Sequence, residues 1–105
     1  MTPNEFDKLA DAMLERIAAA IEESGADCDT EPKGSGVLEI EFADASRIVV
    51  NRHSAAQEIW VAAKSGGYHF RFDGSAWVDT REGRELLAAL SSFMSAQSKK
   101  AVVLR

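Results

Sequence analysis

A chain of 105 residues that is 46% hydrophobic and 28% charged is long enough for one modest core and too short for two. Its net charge of −5 argues against nucleic acid as a partner, because phosphates call for a basic footprint. No apolar run approaches the roughly 20 residues that span a bilayer, so no membrane role is expected. An acidic N-terminus without signal or transit character, and a single cysteine, Cys28, that has no partner for an internal disulfide, are what a reducing cytoplasm leads one to expect.

The net charge hides an asymmetry. Residues 1–44 carry 12 acids and 3 bases, whereas residues 45–105 carry 5 acids and 9 bases. The acidic half therefore points to cations or to a basic protein surface.

In chain order, residues 2–24 predict a first helix. Thr2 can cap it, Pro3 suits its first turn and Glu5 completes a capping box. Phe6, Leu9, Ala10, Met13, Ile17, Ala20 and Ile21 recur at helical spacing as a buried stripe, and Gly25 is a natural stop. Asp7, Asp11, Glu15 and Glu22 occupy the outer face. Neighbours at such spacing repel by a few tenths of a kcal/mol per pair. Glu22 and Glu23 also sit at the helix C-terminus, where the dipole disfavours negative charge. Next, Asp27, Asp29 and Glu31 alternate with Ala26, Cys28 and Thr30, and Pro32 suits an edge strand. Glu22, Glu23, Asp27, Asp29 and Glu31 are thus expected to form one acidic ridge. The same pattern also fits a plain solvated face whose charges keep an edge strand from mispairing.

Lys33–Gly36 reads as a turn, Val37–Phe42 as a strand with Glu39 and Glu41 outward, and Arg47–Asn51 as its partner, with 53–56 as a link. Two strand-like runs flank Ser65-Gly66-Gly67 and predict a hairpin. Alternation puts Ile59, Val61 and Ala63 on one face and Glu58, Trp60, Ala62 and Lys64 on the other. Trp60 on the polar face is either a contact anchor or a residue covered by a loop or the C-terminal tail. After Ala76–Val78, a second helix is expected from about Thr80 to Gln97, with Asp79 and Glu82 as its capping box and Leu86, Leu87, Leu90, Phe93 and Met94 inward. Residues 101–104 form an apolar tail. The order predicts an α+β fold: a two-layer sandwich with both helices on one face of a five- to six-stranded antiparallel sheet, the other face open to solvent. Residues 1–105 are expected to form a single domain.

Phosphate-binding, C-x-x-C and nucleophile motifs are absent. Cys28 sits among acids, which raises a thiol pKa and makes a poor nucleophile. His53 and His69 have no metal-ligand spacing to each other, and the acids all read as exposed rather than set in a cleft. What remains is metal binding by carboxylates, which suit hard cations, weakly and with strong salt dependence.

Asn51-Arg52, Gln57-Glu58-Ile59-Trp60-Val61-Ala62 and Gly66-Gly67-Tyr68-His69-Phe70 together resemble the core signature of the frataxin family, in particular its bacterial branch. The similarity runs from Glu5-Phe6-Asp7-Lys8-Leu9-Ala10-Asp11 to the last strand. It implies an α-β sandwich and weak, exchangeable binding of ferrous or ferric iron. It also implies contact with the cysteine desulfurase and scaffold protein of iron–sulfur cluster assembly. On this resemblance Glu22, Glu23, Asp27, Asp29 and Glu31 match iron-ridge positions, and Asp11 and Glu15 extend them. Asn51, Gln57 and Trp60 match partner-contact positions, with Glu22, Glu23, Asp27 and Asp29 also offered to a basic partner. Ala18, Ala19 and Ala20 stand where relatives often carry further acids, which implies fewer or weaker sites. The expected function is a non-enzymatic regulator or iron donor, monomeric or assembling with iron. The alternatives are a ferroxidase or iron-storage enzyme, which would need paired irons and lacks the Glu-x-x-His signature, and an acidic interaction module without metal.

Overall fold

The structure, a computed structural model, describes residues 1–105. Helix α1 (Pro3–Ser24) starts as its sequence dictates: the Thr2 hydroxyl accepts from the Glu5 N–H at 3.1 Å, and the Glu5 carboxylate accepts from the Thr2 N–H at 2.8 Å. It stops at Gly25, whose φ of 70° turns the chain left-handed and returns its N–H to the Glu22 carbonyl. Leu14 joins the expected buried stripe, and Leu9 is only half-buried.

Six strands follow: β1 (Cys28–Pro32), β2 (Val37–Phe42), β3 (Arg47–His53), β4 (Glu58–Ala63), β5 (Gly66–Phe72) and β6 (Trp77–Asp79). Each is antiparallel to the next, so the sheet is a meander in chain order with β1 and β6 at its edges. Helix α2 (Leu86–Ser98) closes the second layer. Leu38, Ile40, Ile48, Val50, Ile59, Val61 and Phe70 point from the sheet into one core with Phe6, Ile17, Leu86, Leu90 and Met94 from the helices. The expected two-layer sandwich is thus the observed fold, and Val102 and Leu104 of the tail are buried in the same core. Ser95 and Ser91 hold that tail, accepting from the Val102 and Leu104 N–H groups at 2.9 Å.

Several local expectations are corrected. Helix α2 begins at Leu86, six residues after Thr80. Its cap is Glu85, whose carboxylate accepts from the Leu87 and Ala88 N–H groups. Asp79 instead ends β6 and accepts from the Arg81 and Glu82 N–H groups, so it folds a turn rather than starting a helix. Strand β3 continues through His53, because its ladder to β4 runs on to the His53–Glu58 pair. The β4–β5 hairpin turns on Lys64-Ser65, and Gly66 and Gly67 already pair with Ala63 and Ala62. Lastly, the acids are not all exposed: Glu58 and Asp79 are buried.

Candidate functional site

Register builds the acidic region. Because Leu38, Ile40 and Phe42 face the helices, Glu39 and Glu41 face the open side of β2. The β1–β2 ladder sets Asp29 directly opposite Glu41 and Glu31 directly opposite Glu39. Opposed side chains in an antiparallel pair lie about 4.5–5.5 Å apart at Cβ, so this is a rectangle of four carboxylates. Only Arg47 offsets them from within the sheet, 3.6 Å from Glu39 and 3.4 Å from Glu41. Lys33 reaches Glu31 from the turn at 3.3 Å.

Glu22, Glu23 and Asp27 are exposed at the end of α1 and in the link to β1, and none is in an ion pair; neither is the equally exposed Asp29. Glu23 lines a groove with Val103 and Arg105 of the tail, and Asp27 lines another with Asp44, Lys99 and Lys100, while Asp29 and Glu31 lie on the solvent side of the sheet. Sequence reasoning had Glu39 and Glu41 outward but left them out of the ridge. The missing signal was the β1–β2 register, which the short Lys33–Gly36 turn could have supplied.

The earlier acids of α1 are engaged differently. Asp11 receives Arg52 Nη1 at 2.5 and 2.6 Å, and Asp7 lies 3.7 Å from Arg52 Nε and accepts from the Ser54 hydroxyl. Asp11 is thus neutralised by a cation of the protein itself. Glu15 stays exposed, at a groove between α1 and the β1–β2 turn.

The other region lies at the centre of the open face. Trp60 is sandwiched between His53 and His69, at centroid distances of 3.7 and 4.5 Å and interplanar angles of 14° and 10°. The stack crosses β3, β4 and β5, and Asn51 stands directly opposite Trp60 on β3. Gln57 sits in the turn before β4 with φ 55°, and its amide donates to the Met1 carbonyl at 3.1 Å. Beside the stack, Glu58 accepts from Trp60 Nε1 at 2.9 Å and from Arg71 Nη2 at 2.7 Å. Burial, the largest influence on this carboxyl, raises its pKa. The bonds from Trp60 and Arg71 and the charges of Arg71 and His69 together outweigh it, so the group is held below its usual value of 4.5. His53, Glu58 and Arg71 were missed by sequence reasoning, and only the pairing of three strands brings them together.

Cys28 is half-buried. Burial first, then the charges of Asp29 and Asp27, push its thiol pKa up. No three His, Cys, Asp or Glu side chains converge on one point to form a ready coordination shell. No helix is long and apolar enough to cross a membrane.

A meander sheet backed by two helices, with an acidic edge and an indole on its open face, defines a small α-β sandwich that presents two polar surfaces. A family model described as a frataxin-like domain matches residues 1–100. The iron-sulfur cluster assembly protein CyaY of Dechloromonas aromatica (strain RCB) is 56% identical over 105 residues, all of both chains. CyaY of Cupriavidus metallidurans is 50% identical, over all of this chain and 97% of that one. Among solved structures, frataxin from Psychromonas ingrahamii superposes with a TM-score of 0.90 at 35% identity, over 98% of this chain and 97% of that one. A trimeric yeast frataxin described as complexed with ferrous superposes with a TM-score of 0.72 at 30% identity, over 87% of this chain and 86% of that one. The chain belongs to the frataxin family.

Proposed function

We propose that this chain binds iron and serves iron–sulfur cluster assembly in the cytoplasm as a non-catalytic regulator or iron donor, acting on the cysteine desulfurase and its scaffold protein. The observation that carries the reading is the carboxylate rectangle of Asp29, Glu31, Glu39 and Glu41, offset in the sheet by Arg47 alone, with Glu22, Glu23 and Asp27 exposed and unpaired just before it in the chain. The names of the CyaY relatives and the ferrous complex of the yeast protein support it.

All-oxygen donors suit a hard cation. Because no shell is preassembled, an ion at this edge takes few protein ligands, keeps much of its water and exchanges readily. The same carboxylates suit a basic patch on the desulfurase, and Asn51, Gln57 and Trp60 suit the assembly complex on the open face. Asp11, already paired with Arg52, contributes little to an iron site, and Glu15 extends it only toward the groove.

Mapping of ¹H–¹⁵N shifts with Fe²⁺, and then with the desulfurase, tests the reading. Shifts should concentrate on 22–31 and 39–41 for iron, and extend to 51–60 for the complex. A variant with Glu22, Glu23, Asp27 and Asp29 all changed to Ala or Asn that still binds ferrous iron and the desulfurase unchanged would end the proposal. Oxygen consumption with stoichiometric Fe²⁺ at the autoxidation background separates it from a ferroxidase.

A further inference from the structure

We infer that Glu58 is the positioning residue of the open-face platform, fixing the direction in which Trp60 meets a partner. This rests on the reading of Trp60 as a contact residue and adds what sets its geometry.

A carboxylate on the solvent side of a sheet ordinarily extends into water. Glu58 is instead 6% exposed. Its Oε1 accepts from Trp60 Nε1 and stands 3.5 Å from His69 Nδ1, while its Oε2 accepts from Arg71 Nη2 at 2.7 Å. A buried charge is tolerated only when it is paired and hydrogen-bonded, so Trp60, His69 and Arg71 and the one hidden carboxylate depend on each other. His53 completes the clamp from the other side. Its Nδ1 accepts from the Ala56 N–H at 3.2 Å, which ties that imidazole to the 54–57 turn.

The consequence for recognition is specific. Both π faces of Trp60 are covered by imidazoles, so a partner cannot lay a flat group on the indole. It meets the rims of three nearly parallel rings instead. Ring edges are the electropositive part of an aromatic quadrupole, and Arg71, with 64% of its side chain exposed, adds a guanidinium alongside. The partner group that fits this rim is a hydrogen-bond acceptor, a carboxylate or backbone carbonyl. Freed from Glu58, the indole could swing out of the stack and offer a face, a different surface to a partner.

The test uses the full chain. Indole ¹H–¹⁵N spectra of the wild type, Glu58→Ala and Glu58→Gln are recorded, with the Trp60 signal assigned by its absence from Trp60→Phe. Affinities for the assembled desulfurase–scaffold complex are measured on the same variants, together with Trp60→Ala. Circular dichroism melts establish that each variant folds.

Glu58→Ala is expected to move the Trp60 indole resonance and weaken binding about tenfold, the scale of a disturbed hot spot. Glu58→Gln keeps a carbonyl acceptor for the indole N–H and should restore most of both. Should Glu58→Ala unfold, Arg71→Ala removes one tie to the carboxylate, and because Arg71 itself faces the partner, its indole resonance alone carries the comparison. An unmoved indole resonance in the folded variant overturns the inference. So does unchanged affinity of Glu58→Ala where Trp60→Ala binds at least about ten times more weakly. Wild-type affinity of Trp60→Ala instead removes the contact reading itself, and the inference falls with it.

Discussion

Asp29 on the edge strand and Glu41 on its neighbour stand directly opposite each other, one carboxylate facing another on the solvent side of the sheet. Like charges so placed destabilise a sheet, by about 0.2–1 kcal/mol relative to a neutral pair. Asp29→Asn should therefore raise the urea midpoint, and with it the unfolding free energy by an amount in that range, and Glu31→Gln, opposite Glu39 but paired with Lys33, should do so by less. Both should weaken ferrous binding while stabilising the fold. A midpoint that stays put or drops in both variants would show that the carboxylates do not repel.

Ferrous iron should raise the melting temperature at low ionic strength by mass action on the folded state. The rise should fade as salt approaches about 0.15 M, where the Debye length is about 8 Å and exposed carboxylates are screened. Thermal melts across a salt series at fixed Fe²⁺ check this, and a salt-independent rise would point to a more enclosed site than the acidic edge provides.

Arg52 joins three segments. Its side chain, 19% exposed, reaches Asp11 and Asp7 on α1 and the Ser35 hydroxyl in the β1–β2 turn at 3.3 Å. Arg52→Ala should cost about 1 kcal/mol, because Asp11 and Asp7 are 47% and 35% exposed and water can take the place of the guanidinium. Gly36 lies under the same guanidinium. Its φ is 75°, and an added Cβ would meet the Arg52 Cγ and Nε atoms at 2.8 Å. Gly36→Ala should cost about 1 kcal/mol or more. Part of that cost should vanish in the Arg52→Ala background, so a double-mutant cycle by denaturant unfolding should show coupling between the two sites.

Acid should undo the two buried carboxylates. Burial raises the pKa of Asp79, but the Arg81 and Glu82 N–H groups and Arg84 outweigh it and hold the group below its usual 3.8. Glu58 is likewise held below its usual 4.5. A carboxylate depressed in the folded state stabilises above its unfolded pKa and loses that stabilisation as pH falls through the folded one. The melting temperature should thus fall from about pH 5 downward. Glu58→Gln should start lower at pH 7 and converge on the wild type as pH drops. Parallel curves would mean that Glu58 does not contribute to the acid limb.

What was legible in the sequence was local or periodic. The Thr2–Glu5 capping box needs four residues, and the inward set Leu38, Ile40 and Phe42 needs only a period of two. What was not legible depended on pairing between distant segments. Asp79 and Glu85 are both acids that precede backbone N–H groups. Which one caps α2 was decided by Asp79 being drawn under the sheet edge, opposite Phe70. Alternation places Glu58 outward, as observed, and exposure is the ordinary companion of an outward carboxylate. Its burial came from neighbours that only the three-strand register assembles. The same register turned His53, assigned to a loop, into one side of the Trp60 stack.

Cys28 sits at the start of β1 between Asp27 and Asp29, half-buried and with its pKa raised first by burial and then by those two charges. Burial and the two neighbouring carboxylates thus act in the same direction, and both favour the protonated form of the only thiol. A thiol held protonated is a weak nucleophile, so Cys28 should react slowly with an alkylating reagent such as iodoacetamide at neutral pH.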